Sequence, residues 1–557
     1  MTALPRLPLA FRGECRDDAD ARAVYSEAAG VARVMPRGVA VPADADDLAL
    51  LAQWASEGGV PLIPRGAGSS MAGGAVGDGL IVDLGRLGGL EAGRKRASVS
   101  GGRTYAPTRL VAGAAVIRDD LQRAANSVGM SFPVDPSSSA FATVGGMVAT
   151  HAAGSRTVRY GPLREWIEGV ECVFADGTRG WVHRGAVLDD IPAIARFTRD
   201  VAPAIRAADV RLLRHEGVRK ESSGYALEAY RRSGDVLDLL IGSEGTLAFI
   251  TAVEVRLTPL PIATASLLAG FASVEAAATS AADLGALGAS AVELLDRTFL
   301  EVAGRGGRAL PVPDGLEAVL LTEAEALDEA AAGAAIAAIR QRCESGGAVH
   351  LRTALSAGEE ATLWALRHAA SPILTTLAPA LQSLQLVEDG CVPPARFAEY
   401  VRAVRAALDR ARFAGVIFGH AGDAHAHVNV LADVREPDWR SRCEQVLAEV
   451  TAAVARLGGT LAGEHGDGRL RTPLLPQVWP PETLALFAAV KSAFDPAGVL
   501  NPGVKVPAAG ARALDAIKYD PALPPLPRAA REALELVTRE RAYARSRLGL
   551  LPPPPAA

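Results

Sequence analysis

The stretch SFPVDPSSSAFATVGGMVATHAAGSRTVRYG, residues 131–161, constrains this chain more than any other. Between Asp135 and Arg156 it has no formal charge, and serines, the pair Gly145-Gly146 and a run of Ala, Thr and Ser fill the gap. Pro, Ser and Gly break it too often for a bilayer span. Its side chains are too small for an ordinary core helix. Small residues let the backbone approach a partner closely, and Gly supplies φ > 0 where the chain has to bend to do so. Inward-facing N–H groups and hydroxyls suit a large ligand that carries phosphates. Taken alone, the same composition also describes a Gly/Ser-rich turn in an alanine-rich protein.

A second segment of this character is VPLIPRGAGSSMAGGAV, residues 60–76. Its start, 60–63, reads as a short buried strand. Arg65, Gly66, Gly68, Ser69, Ser70, Gly73 and Gly74 follow as a loop offering a cation, hydroxyls and free amides. It is neither common phosphate loop: no Gly-Lys-Ser/Thr closes it, and the third Gly of the dinucleotide fingerprint is missing.

PRGAGSSMAGGAV resembles the pyrophosphate loop of the vanillyl-alcohol-oxidase type FAD-binding domain. PVDPSSSAFATVGGMVATHAAGSRTVRYG is similar to that domain's second flavin-contacting stretch, and LIGSEGTLAFIT, residues 240–251, to its third. The nearest branch is the FAD-linked D-2-hydroxyacid dehydrogenases, such as D-lactate dehydrogenase and the glycolate oxidase flavin subunit. The resemblance runs from about residue 12 to about residue 505. It implies an α+β fold, with a two-subdomain PCMH-type FAD-binding domain plus an antiparallel-sheet substrate (cap) domain backed by helices. Carried over residue by residue, it implies flavin contacts from Arg65, Gly66, Ala67, Gly68, Ser69 and Ser70 in the first block. The second block supplies Pro133, Asp135, Ser138, Thr143, Gly145, Gly146, Thr150, His151, Gly154 and Ser155. Glu244, Gly245 and Ile250 come from the third, and Asn501 from FDPAGVLNPG, which returns to the flavin domain. RKESSGYALEAY, residues 219–230, resembles a further flavin-adjacent segment, although Tyr225 alone reads as a packed aromatic.

At 557 residues, two or three domains are expected, and 49% hydrophobic content supports globular folding. A net charge of −5, from 58 basic and 63 acidic residues, points to neither nucleic acid nor a membrane surface as partner. Five scattered cysteines without a C-x-x-C argue for a reducing compartment and against a disulfide framework or an iron–sulfur cluster. The N-terminus lacks the apolar core of a signal peptide and no run reaches transmembrane length, so a cytoplasmic protein is expected, at most peripheral at the inner membrane face.

In order along the chain, a lead-in (1–33) with a helix over 18–29 precedes the FAD-binding domain at 34–259. There the pattern predicts strands at 39–41, 80–84, 108–116 and 168–175, and helices at 48–56 and 117–128, the first capped by Asp44 or Asp46. The insert 189–214 reads as helical and polar. A composition shift after Pro259-Leu260-Pro261 marks the start of the substrate domain at 260–470, where strand-like runs alternate with alanine-rich helices. Residues 471–505 form the return segment, and 506–557 a Pro-rich linker with a helix at 527–548 and a proline tail, read as a docking or capping appendage.

The chemistry concentrates late in the chain. GVIFGHAGDAHAHVNVLAD, residues 415–433, reads as a hairpin that brings His420 and His427 together, with His425 in its loop and Asn429 on the same face as His427. GGTLAGEHGDGR places Glu464 beside His465. The chain has nine histidines, and four lie in these two segments. Two imidazoles plus a carboxylate form a ligand set for Zn²⁺, Mn²⁺ or Fe²⁺ with positions open to substrate. Solvated histidines in polar turns are the plainer alternative. The resemblance implies that His420, His427 and Glu464 hold a divalent metal, that His465 is the proton acceptor and that Asn429 helps bind substrate. It also implies that Arg367, in LWALRHAASPI, meets the substrate carboxylate, for which a bidentate guanidinium is suited. His425 and His151 stand where the family usually has Asn.

The implied reaction is oxidation of a D-2-hydroxy acid, of the D-lactate, glycolate or D-2-hydroxyglutarate type, by hydride transfer to the N5 of non-covalent FAD. The metal and a histidine base assist. Alternatives are a non-redox flavoenzyme of the alkylglycerone-phosphate-synthase type, whose cluster of consecutive histidines is missing here, or a flavin subunit relaying electrons within a multi-subunit oxidase. A separate iron–sulfur, quinone or cytochrome acceptor and a homodimer are the partners expected.

Overall fold

The computed structural model describes residues 4–91, 108–188, 190–304, 310, 312–373 and 380–553, without the side chains of 91 and 368–373. The side chain of His368 and residue 189, the first of the insert expected over 189–214, lie outside what is described.

Three sheets carry the molecule. The first orders its strands Glu14–Arg16, Gly38–Val41, Leu80–Asp83, Leu62–Arg65; the last three run parallel and the first antiparallel. The expected strand at 60–63 sits two residues later, because Pro61 has no N–H to donate and pairing starts at Leu62. Helix Ala45–Gly58 backs this sheet, with Asp44 accepting from the amides of Asp46 and Asp47 and Gly59 closing it at φ 62°. The lead-in helix is only Ala19–Val24, since Glu27 and Arg33 pair as an antiparallel bridge instead of continuing it.

The second sheet is antiparallel throughout, in the order Leu90–Glu91, Arg109–Gly113, Phe249–Arg256, Ile167–Val173, Arg179–His183. The return segment locks the two sheets together. Leu500 bridges Leu62, and Phe487 and Phe494 of helix Pro481–Phe494 join the core that holds Tyr225 and Phe197.

The third sheet is antiparallel and orders Ala348–Ala354, Ala263–Phe271, Ala318–Ala326, Ala291–Asp296, Ala414–His420, His425–Asp433, Leu381–Leu384. Its strands are covered on both faces, not on one. Helices Val274–Ala281, Glu329–Ser345, Phe397–Arg410 and Trp439–Arg456 bury one face with Leu267, Phe271, Val428 and Val430. Helices Arg297–Gly304 and Ala357–Ile373 cover part of the other, against Leu268, Leu295, Val416 and Leu431. That second face also carries Glu293, Phe418, His420, His427 and Asn429, because side chains two apart in a strand share a face. The register sets Glu293 directly opposite His420 and Phe418 opposite His427.

Candidate active site

A cavity of about 1170 Å³ opens between the first two sheets and this polar face. Its floor is made by Gly/Ser loops. Gly68 and Gly73 take φ of 70° and 78°, so L side chains would be strained there. A Cβ on Gly66 would come 2.4 Å from the Thr143 hydroxyl, and one on Gly145 would press on Ala114. The two stretches therefore interlock through their glycines. Thr143 caps helix Val144–Thr150, and Ser70 Oγ is buried without a hydrogen-bond partner.

Arg65, Gly66, Ala67, Gly68, Ser69, Ser70, Ser138, Thr143, Gly145, Gly146, Thr150, Glu244, Gly245 and Ile250 line this cavity; Pro133, Asp135, His151, Gly154, Ser155 and Asn501 do not. Arg65 differs from the sequence reading in one respect: its guanidinium turns inward, donating to the carbonyls of Glu27 at 2.8 Å and Tyr25 at 3.1 Å. It braces the loop and offers no free cation. Asp135 is bound up with Ser155 and with Arg156 at 2.7 Å. Asn501 donates to the carbonyls of Gly74 and Glu244, so it ties two flavin-side loops together from behind. His151 is buried at φ 55°, with Nδ1 unpartnered.

Arg367, Phe418, His427, Asn429, Glu464 and His465 line the opposite wall. The imidazoles of His420 and His427 are each aimed by a partner on Nδ1: Glu293 at 2.5 Å for His420, and the Glu388 carbonyl at 2.7 Å for His427. Both Nε2 atoms then face Glu464 Oε1, at 3.1 and 3.4 Å. Imidazoles oriented from behind with converging Nε2 atoms are how proteins prepare metal ligands. His425 joins the same group, with ligand atoms within 4.8 Å of one another, but its Nε2 is held by Asp389 at 2.8 Å and burial depresses it to about 4. His420, His427 and Glu464 are placed to hold a divalent cation, and His425 keeps its Nδ1 without a hydrogen-bond partner beside them.

His465 stacks on His427 with ring centroids 5.1 Å apart, and its Nδ1 shares a hydrogen bond with Glu388 at 2.6 Å. Burial opposes charge on this ring, but Glu388 and Asp389 outweigh it and raise it to about 9. Arg367 donates from Nε to Glu293 at 2.5 Å and lies over the Phe418 ring at 5.1 Å. Glu293 therefore bridges His420 and Arg367; burial resists its charge, yet both cations hold it well below the usual carboxylate range.

Sequence reasoning passed over five residues. Glu388 and Asp389 are adjacent carboxylates in VEDGCVPPARF; Asp389 accepts from the amide of His465 at 2.9 Å. Lys220, fully buried, sits 3.2 Å from Glu464 and 3.5 Å from Asp423. Glu293 lies in a strand that reads as plain core. Lys505 pairs with Glu244 and Asp467 at 3.0 Å each. The only signal was charge in otherwise apolar or Gly-rich runs.

Comparison with known proteins follows the same division. The family described as "FAD binding domain" matches residues 36–182, and that described as "FAD linked oxidases, C-terminal domain" matches 260–504. The chain is 31% identical to glycolate oxidase subunit GlcD of Bacillus subtilis over 496 residues, covering 87% of this chain and 93% of that protein. It is 29% identical to D-lactate dehydrogenase of Archaeoglobus fulgidus, covering 84% and 90% respectively. In structure it is similar to 4-ethylphenol oxidase from Gulosibacter chungangensis, with a TM-score of 0.66 at 16% identity over 88% of this chain and 94% of that one.

Proposed function

The chain belongs to the FAD-linked oxidases that join an FAD-binding domain to the C-terminal oxidase domain, and from that premise we propose that it oxidises a D-2-hydroxy acid to the 2-oxo acid. One observation carries the reading: an arginine, a base and a converging His/Glu set face the Gly/Ser loops across a single cavity. The volume lies at or above the roughly 300–1,000 Å³ of ordinary small-molecule sites, and the floor is built of amides and small residues, so FAD fits. When bound, FAD supplies the two-electron acceptor and a divalent Zn, Mn or Fe ion at His420, His427 and Glu464 supplies a Lewis acid for the substrate hydroxyl.

The chain's own residues do the rest. Arg367, held from one side by Glu293, pairs with the substrate carboxylate and fixes how the Cα presents itself. Asn429, on the same strand face two residues from His427, adds a polar contact. His465 takes the hydroxyl proton in its neutral form, which a divalent cation beside Glu464 would favour by opposing the pull of Glu388 and Asp389 toward the protonated ring. Glu388, hydrogen-bonded to Nδ1, orients the ring and stabilises the imidazolium formed. The metal-side carboxylate Glu464 is kept ionised: burial works against its charge, but Lys220 and His420 prevail. FAD is held without a covalent bond, since the first loop has neither His nor Cys, and His151 lies outside the cavity lining. A separate electron acceptor completes the cycle, supported by one relative's name as an oxidase subunit.

Anaerobic mixing of the FAD-loaded protein with D- and L-lactate, glycolate and D- and L-2-hydroxyglutarate tests the reading. Bleaching by one or more D-acids or glycolate is expected, slowed about a hundredfold or more by a chelator and restored by added metal. Flavin that stays oxidised with every acid overturns the assignment.

A further inference from the structure

The stretch that matches the C-terminal oxidase domain ends at residue 504, yet the chain continues across the mouth of the cavity. It crosses from the cap: Arg440 pairs with Asp520 and donates to the Leu514 carbonyl. It then reaches the lead-in, where Ile517 bridges Ala32 and the amide of Lys518 donates to the carbonyl of Val31 at 2.8 Å. Helix Arg528–Glu540 and the segment after it bury Ala530, Ala533, Leu548 and Leu551 against Val24, Tyr25 and Ile63. This anchoring is a hydrophobic core of its own.

What the segment presents to the cavity is mostly cationic and aromatic, with one carboxylate, Glu535, and two leucines, Leu526 and Leu534, among the cations. Lys518, Arg531, Arg539, Arg541 and Tyr543 all line it. Tyr543 packs on Phe141 of the second Gly/Ser stretch at 5.0 Å between centroids, and Arg541 lies over the same ring at 5.0 Å. Among the described residues Arg531 and Arg541 have no acidic partner, whereas Arg33 is paired with Glu27 and Arg65 is spent on carbonyls. Arg547, 3% exposed, lies behind the lining beside Arg65, Tyr25 and Tyr543 and adds positive charge to this wall.

We propose that the segment after residue 505 is a clamp for the diphosphate half of FAD, supplying the cations that the loop around Arg65 withholds. The inference rests on the cavity being the cofactor's. The imidazoles mark the flavin end, and the Gly/Ser amides and these arginines mark the phosphate end. The clamp acts on cofactor retention, not on the hydroxy-acid chemistry.

Apoprotein of full length is titrated with FAD and, as a phosphate-free control, with riboflavin, for the parent and for R531Q/R541Q. Because both side chains are exposed, the apoprotein melting temperature is expected to hold. FAD affinity is expected to fall about tenfold or more while riboflavin binding is unchanged, and R531K/R541K is expected to recover FAD affinity to within about threefold. FAD binding within twofold of the parent, or equal weakening of FAD and riboflavin, overturns the clamp. A parent that takes up no FAD overturns the cavity's assignment and the clamp with it.

Discussion

His465 shows how one side chain's role is set by what stands behind it. Its Nδ1 is engaged by Glu388, which is in turn paired with Arg471, so Nε2 is the nitrogen left for substrate, 3.7 Å from Glu464. Removing the ring removes the proposed proton acceptor and leaves the Gly/Ser loops untouched. His465→Ala is therefore expected to lower turnover by about 10²- to 10⁴-fold with FAD still bound. Turnover and FAD content measured on one preparation check this, and loss of the flavin from that variant would count against the role. At this scale the sequence singled out His420, His425, His427 and His465, because histidine is scarce in the chain and these four are bunched, and Glu464 as the neighbour of His465. It was silent on Glu388, Asp389, Glu293 and Lys220. A lone carboxylate in a strand looks the same whether it meets solvent or a buried imidazole.

Among the elements, the third flavin-side block is tied straight to the loop bearing the base. Glu244, held at φ 51°, accepts from the amides of Asp467 and Gly468 at 2.7 and 3.1 Å and pairs with Lys505. One buried carboxylate thus joins residues 240–251, the 463–469 loop and the return segment. Glu244→Gln removes one of the two carboxylates facing Lys505, leaving Asp467 as its counter-charge, and weakens the bonds from the amides of Asp467 and Gly468. It is expected to cost about 1–3 kcal/mol. Thermal unfolding, FAD content and turnover of the variant check it: all three should fall together, unlike in His465→Ala. A normal melting curve would show that the junction is not held as described. Strand and helix positions in this region were largely readable from period and capping residues, with ends displaced by a few positions. Pro61 delaying a strand and Gly59 ending a helix are local causes of that kind.

For the whole molecule, the cavity is a joint between parts far apart in the chain. Its lining runs from Glu27 to Tyr543, so a bound cofactor touches nearly every region at once. Ligand that binds only the folded state stabilises it by mass action, about 2.7 kcal/mol at a concentration a hundred times the dissociation constant. Added FAD is accordingly expected to raise the melting temperature of the apoprotein, and acid precipitation of the loaded protein to release its yellow colour into solution. A pellet that keeps the colour would mean a covalent link.

Local sequence by itself determined the Gly/Ser loops, the strand and helix periods and the bunching of histidines, because those depend on backbone sterics and on neighbours within a few residues. Only the tertiary structure decided which face of the third sheet meets the loops, that the Arg65 guanidinium is taken up by the carbonyls of Tyr25 and Glu27, and that Glu293, Glu388 and Lys220 stand behind the imidazoles. It also decided that the tail closes over the cavity. Those outcomes depend on burial and on charge pairs separated by tens to hundreds of residues, and a buried charge settles wherever the packed chain offers it a partner.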